Sequence, residues 1–386
     1  MRVGFGMTLV NRCLQGGGLD GIGNYTVELL RSFRERADVE LFPYSFGLAP
    51  GDWPSLGINY PREQLQLPRY DVLAASSVLT HGLFPLTGEL SKHVDLVHAT
   101  DHLIPRVRNI PVVATLMDAI PLTHPEWVSK SLVGRFKTQL WKKTATWADR
   151  IITISDHSKR QIVDYFDLAA ETIDVIPLGV DKRWFAPIVI EERTRVRKKH
   201  DLRDQNFICV GTLQPRKNIE KAINAYLRLP RAIQEDVGLV VVGRAGWQCD
   251  EIVSRLGQGA YGAGVRWFKH LPDNELRAVL QDSIALVFPS LHEGFGLPVL
   301  EAFASRTPVI ASNTTSLPEV AGDAALLIDP HDEEAIADAM RRVVEDDDLA
   351  SRLKARGYER AALFTWDRTA EMTVQSYRRV FGNPHL

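Results

Sequence analysis

Short apolar runs recur along the chain, each followed by a turn carrying Gly, Ser or Asp and then by a helical spacing of apolar positions. That is the rhythm of βα units wound around a parallel sheet. In the first half the runs at 3–5, 96–98, 112–116, 151–154 and 173–176 predict strands. In the second half the runs at 207–210, 239–242, 265–268, 285–288, 309–311 and 326–328 do the same, so two sheets of five or six strands are expected. Over 333–344 the spacing changes to a helical one, with Ala335, Ile336, Ala339, Met340, Val343 and Val344 on one face. Such a stripe is buried against a sheet while the charged face stays in water.

A chain of 386 residues exceeds the usual size of one hydrophobic core. The pattern breaks at Pro177-Leu178-Gly179-Val180-Asp181 and at the charged stretch 191–199 that follows, which reads as a linker. The predicted division is a Rossmann-like α/β domain over 1–180, a second over 181–365, and a terminal helical segment over 366–386.

Charge narrows the function. Lys and Arg number 46 against 48 Asp and Glu, a formal net charge of −2, so no global field draws in nucleic acid. Cys13, Cys209 and Cys249 are far apart and form neither a disulfide framework nor a zinc knuckle; they read as reduced, structural thiols. The first residues lack the apolar core of a signal peptide, and no run approaches the roughly 18 apolar residues of a membrane span. The chain reads as cytoplasmic. Residues 129–150 interleave Lys130, Arg135, Lys137, Lys142 and Lys143 with Phe136, Leu140, Trp141 and Trp147, which suits either an anionic membrane surface or a helix with one buried and one solvated face.

Three segments carry chemistry. The glycine-rich stretch from Gly16 to Tyr25 lies between the first strand and a helix, where Gly21 and Gly23 let backbone amides approach a ligand. It is not the dinucleotide fingerprint, because Thr26 stands where the third small residue is needed. Gly211 to Asn218 leaves the strand at 207–210 with two adjacent cations, Arg216 and Lys217, beside a helix that Asn218 is placed to cap. Cations at the carboxyl end of a parallel strand suit a diphosphate. The third segment, Pro289 to Ala302, turns on Gly294 and Gly296 and enters a helix with Pro298 near its first position. Amides around Phe295, Gly296 and Leu297 are then free to bind an anion, while Glu293 and Glu301 are placed to accept hydrogen bonds from sugar hydroxyls. No Asp-x-Asp or histidine cluster suggests a metal; His98 and His102 have helical ligand spacing but follow a strand.

With these residues the sequence resembles a retaining glycosyltransferase of family GT4, in the GT-B group that includes bacterial mannosyltransferases and sucrose synthase. The resemblance rests on Glu293-Gly-Phe-Gly-Leu-Pro-Val-Leu-Glu301, on Thr307 to Ser312 and on Leu317-Pro318-Glu319-Val320. It is supported by 211–218, Gly243 to Trp247, 155–160 and Gly179-Val180-Asp181, and it covers nearly the whole chain. It implies an acceptor-binding first domain and a donor-binding second domain facing each other across a cleft, with a last helix that returns to the first domain. It also implies that Arg216 and Lys217 hold the donor diphosphate, Glu293 the sugar hydroxyls and Glu301 the ribose. The amides of Phe295 to Leu297 would hold sugar and phosphate, with Gly294 also among the donor-binding residues, and His270 and Leu271 would lie near the base. On this reading no divalent metal or other cofactor is needed, because protein cations neutralise the leaving group.

One departure concerns the acceptor side: many relatives carry His-Asp after the strand at 112–116, and this chain has Met117-Asp118. Asp118 is left as an acceptor-orienting residue or as the anchor of its own turn. The resemblance favours a GDP-sugar, mannose or a deoxyhexose, with UDP-sugars second, and a glycan or lipid-linked acceptor at the inner face of a membrane. Two other readings stay open. A nucleotide-sugar epimerase or phosphorylase would act without a saccharide acceptor or would need phosphate. A non-catalytic nucleotide-sugar-binding subunit would bind without turnover.

Overall fold

The computed structural model describes residues 1–16, 19–49, 51–58, 64–80, 87–127, 132–262 and 264–382, with the backbone alone at 79–80, 87, 89 and 132–137. The chain divides into two compact units, one made of Met1–Gly179 with Trp366–Leu386 and the other of Val180–Thr365.

The first unit holds a seven-stranded, wholly parallel sheet. Its strands are β1 (Arg2–Gly6), β2 (Glu40–Phe46), β3 (Leu65–Leu67), β4 (Leu96–Ala99), β5 (Val112–Thr115), β6 (Arg150–Thr153) and β7 (Ile173–Val175), in the order β3-β2-β1-β4-β5-β6-β7. The apolar runs do not predict β2 and β3. Pro43 weakens the reading of β2, since proline cannot donate to a ladder. It is accommodated because β3 pairs only with Tyr44, Ser45 and Phe46, so at Pro43 one side of the strand is unpaired. β3 is a short edge strand, Leu65-Gln66-Leu67, in which Gln66 interrupts the apolar run that would mark it.

The second unit contains all six strands expected of it: β8 (Gln205–Val210), β9 (Val237–Val242), β10 (Val265–Phe268), β11 (Ala285–Phe288), β12 (Val309–Ser312) and β13 (Leu326–Ile328). They form a parallel sheet in the order β10-β9-β8-β11-β12-β13. The helix Glu333–Glu345 buries Ile336, Ala339, Met340 and Val343. These side chains join the core made by Phe207, Leu239, Val287 and Ile310 from the strands. Asp332 starts this helix by accepting from the amides of Glu334 and Ala335.

In each sheet the strand order reverses once, between β1 and β4 in the first and between β8 and β11 in the second. At such a point the loops leaving two adjacent strands diverge to opposite faces and open a crevice at the carboxyl edge. The terminal helix Trp366–Phe381 belongs to the first unit, where it packs on the helix Gly21–Arg34 and on β6.

Candidate functional site

At the switch point of the second sheet, the loop leaving β8 carries Arg216 and Lys217 and the loop leaving β11 carries Glu293. Because β8 and β11 are paired neighbours, the three side chains meet although some 76 residues separate them along the chain. Lys217 Nζ donates to Glu293 Oε1 at 2.6 Å, and Arg216 Nη1 donates to Glu293 Oε2 at 2.9 Å and to the His292 carbonyl at 3.0 Å. The Lys217 ammonium also lies 4.9 Å from the centre of the Phe288 ring. Glu293 is buried, and burial by itself would raise its pKa; the charges of Lys217 and Arg216 outweigh it and hold the carboxyl down at about 2. Lys217 pulls against the same burial, which lowers the ammonium from its ordinary value.

The cluster is cationic in excess. Among the described residues, Arg216 Nε and Nη2 and two of the three ammonium hydrogens of Lys217 meet no acceptor. The amides of Phe295, Gly296 and Leu297 likewise donate to no described group, whereas the next helical bond, from Val299 N to Gly296 O at 3.0 Å, is made. These three amides stand at the start of the helix Leu297–Ala304, with Pro298 in its first turn as expected. Gly296 adopts φ +119°, and a Cβ there would lie 2.7 Å from Leu317 Cδ2, so only glycine lets the chain turn here. The Ser316 hydroxyl, fully buried, lies 2.9 Å from both the Glu293 and Phe295 carbonyls and fixes the loop.

Glu301, one turn into that helix, is half-buried, and its carboxylate makes no hydrogen bond with a described residue. Burial pushes its pKa up to about 7, opposed by Arg183 and reinforced by Asp273 and Asp181. A carboxylate in that state accepts readily from a ligand that brings its own hydroxyl donors.

Comparison with known proteins places the chain in a family. Residues 19–184 match the family described as Glycosyltransferase Family 4, and residues 191–360 match Glycosyl transferases group 1. O-antigen chain mannosyltransferase B of Escherichia coli is 30% identical over 369 residues, covering 93% of this chain and 96% of its own. The chain belongs to the GT4 glycosyltransferases. Among solved structures, sucrose-phosphate synthase from Thermosynechococcus elongatus superposes with a TM-score of 0.75 at 20% identity, covering 99% of both chains. HepE of Anabaena, solved with UDP and glucose, gives 0.75 at 16% identity over 98% of this chain and 100% of its own. These likenesses establish the GT-B fold, and the sequence relatives make the chain a hexosyltransferase of surface polysaccharide synthesis.

The remaining predicted residues of this glycosyltransferase are placed differently. His270 is exposed and Leu271 buried, both just beyond β10. In the first unit the Gly23 amide is already engaged, since Asp20 caps the helix Gly21–Arg34 and accepts from it at 2.7 Å. That leaves Gly21, where a Cβ would meet nothing within 4 Å. Gly17 and Gly18 lie outside the described residues. Asp118 accepts from the Ile120 amide at 3.0 Å, the turn-anchoring role left open for it, and also lines a cavity with Met117.

Asn218 does not cap the helix Ile219–Leu227. It sits at φ +56° and its amide donates to the Pro289 and Pro330 carbonyls at 3.0 and 2.7 Å, so it ties three loops together instead. Neither Asn218's true partners nor Ser316 could be read from the sequence. Both act across loops, and a Ser or Asn ahead of a helical run signals only a cap. In the basic segment 129–150, Ser129, Lys130 and Ser131 fall outside the described residues, as do the side chains of Arg135, Phe136 and Lys137. Of the rest, Leu140 is buried, Trp147 packs against the core, Trp141 lines a cavity and Lys142 is paired with Asp167 at 2.6 Å. Those aromatic rings are therefore engaged within the protein.

Proposed function

We propose that this enzyme moves a hexosyl group, mannosyl or deoxyhexosyl, from a GDP-sugar to a saccharide or lipid-linked acceptor, with retention of anomeric configuration. The observation that carries the donor side is the set of unengaged donors on Arg216, Lys217 and the amides 295–297, gathered on one rigid switch point. As the bond from sugar C1 to the diphosphate oxygen breaks, negative charge grows on the leaving group, and fixed cations and amides stabilise it. Two protein cations supply the charge a divalent ion would otherwise provide. Glu293, tied to both, is a poor nucleophile, which favours transfer on one face of the sugar without a covalent intermediate. Glu301 is suited to the ribose hydroxyls. The name of the Escherichia coli relative favours mannose and an O-antigen-type acceptor.

Calorimetric titration with GDP and UDP tests the base, and the product anomer read by NMR after reaction with GDP-mannose tests sugar and stereochemistry. Preferred binding of UDP would replace the GDP reading. Binding without transfer to any saccharide would favour the non-catalytic one. Activity that disappears on chelation and returns with a divalent ion would overturn the metal-independent mechanism.

A further inference from the structure

At the switch point of the first sheet, the turn leaving β4 places Asp101 in a position that turn-anchoring explains only in part. The residue is 4% exposed, yet it lines a cavity of about 270 Å³ together with Ile22, His102, Met117, Asp118 and Trp141. One carboxylate oxygen accepts from the Leu103 amide at 2.6 Å. The other accepts no hydrogen bond from a described residue. Burial pushes the carboxyl up to about 6, against the Leu103 amide and the charge of Arg12 and with Asp20 adding to the rise. An unused carboxylate oxygen on a residue that lines a cavity needs a donor from within that cavity, from water or from a ligand hydroxyl that displaces it.

The cavity has the make-up of a sugar subsite. It lies just below the roughly 300 Å³ at which ligand pockets begin, and its wall is mainly apolar with a few polar groups. Trp141 and His102 lie against each other with ring centroids 4.1 Å apart. The same two rings line an adjoining hollow of about 320 Å³, edged by Arg12 and Arg69. An aromatic wall between two hollows gives a saccharide chain a flat surface to rest on and a second compartment to extend into.

We propose that Asp101 binds the acceptor, its free carboxylate oxygen accepting a hydrogen bond from a saccharide hydroxyl held against Trp141. The inference rests on the proposed transfer to a saccharide acceptor and assigns that acceptor a residue and a wall.

The test uses the whole enzyme with GDP-mannose as donor and methyl α-mannoside and α-mannotriose as acceptors. Asp101→Asn keeps an oxygen for the Leu103 amide, so it guards against the misfolding that Asp101→Ala risks. Both variants should raise the acceptor KM roughly tenfold or more, the loss expected for a hydrogen bond to a charged group. The donor KM and the calorimetric affinity for GDP should stay as in the wild type. Trp141→Ala should raise the KM for α-mannotriose more than that for methyl α-mannoside. An unchanged acceptor KM in folded Asp101→Asn, or an equal loss on the donor side, would overturn the inference alone. No transfer by the wild-type enzyme to either acceptor would overturn the proposed function and the inference with it.

Discussion

Glu293 and Glu301 are eight positions apart and face opposite electrostatic situations. Glu293 is compensated by two cations, so removing its carboxylate leaves Arg216 and the nearly buried Lys217 against each other with no counter-charge. Breaking a buried pair on one side costs about 3–5 kcal/mol. Glu293→Ala should therefore lower stability by about that amount in urea unfolding, as well as weaken donor binding. Lys217→Ala should leave the fold nearer intact and lower GDP affinity about tenfold or more, as read by calorimetry. Glu301 has no ion pair of this kind, and the charge of Arg183 only partly offsets its burial. Its folded pKa of about 7 lies above the ordinary 4.5, so the folded state holds a proton that the unfolded state has released between those values. Stability from this group is full below pH 4.5 and is lost as pH rises through about 7. Glu301→Gln should raise the melting temperature relative to wild type at pH 8, and the gain should vanish toward pH 5. On the proposed contact with the ribose, its hydroxyls would donate to the ionised form, so GDP should bind more tightly as pH rises through 7, a trend that Glu301→Gln should flatten.

Among the elements, the helix Leu297–Ala304 depends on its entry. Gly296→Ala would meet both a positive φ and the Leu317 side chain at 2.7 Å. Strain of this kind costs about 1–3 kcal/mol, and relief requires the loop bearing the three amides to move. The expected outcome is a large loss of nucleotide affinity, with a melting temperature lowered by only a few degrees. If affinity survives in folded Gly296→Ala, the amides are not the anion site. A similar closeness joins the loops after β8 and β9, where a Cβ on Gly243 would lie 1.9 Å from the Gly211 carbonyl. The glycines were visible as a pattern, but which of them required glycine was not, since that depends on what approaches from another loop.

For the whole molecule, the terminal helix Trp366–Phe381 completes the first unit. Tyr377 hydrogen-bonds His98 Nδ1 at 2.7 Å, His98 Nε2 meets the Thr115 hydroxyl at 2.8 Å, and Thr115 meets Tyr25 at 2.9 Å, all buried. Burial holds the His98 ring neutral, with its pKa down at about 3. The unfolded chain therefore takes up a proton as pH falls below 6.5 that the folded protein refuses, and stability drops from there toward pH 3. Tyr377→Phe leaves a buried ring nitrogen without its partner, a loss of about 1–3 kcal/mol. Removing residues 366–386 should cost far more, unfolding the first unit in a circular dichroism melt while the second keeps its own transition.

Periodicity and turn chemistry were enough to give the class of fold, eleven of the thirteen strands and the residue types of the candidate donor site, because each is written in local spacing. The missing strands were the one carrying Pro43 and the edge strand Leu65–Leu67, which holds no continuous apolar run. What only the tertiary structure decided was partnership. It brought Arg216, Lys217 and Glu293 into one ionic cluster, turned Asn218 from a cap into a tie between loops and occupied the Gly23 amide. It also left Asp101 buried with an unused oxygen. Each of these depends on which strands are neighbours in the sheet and hence on which loops meet at its carboxyl edge, and no spacing along one chain segment records that.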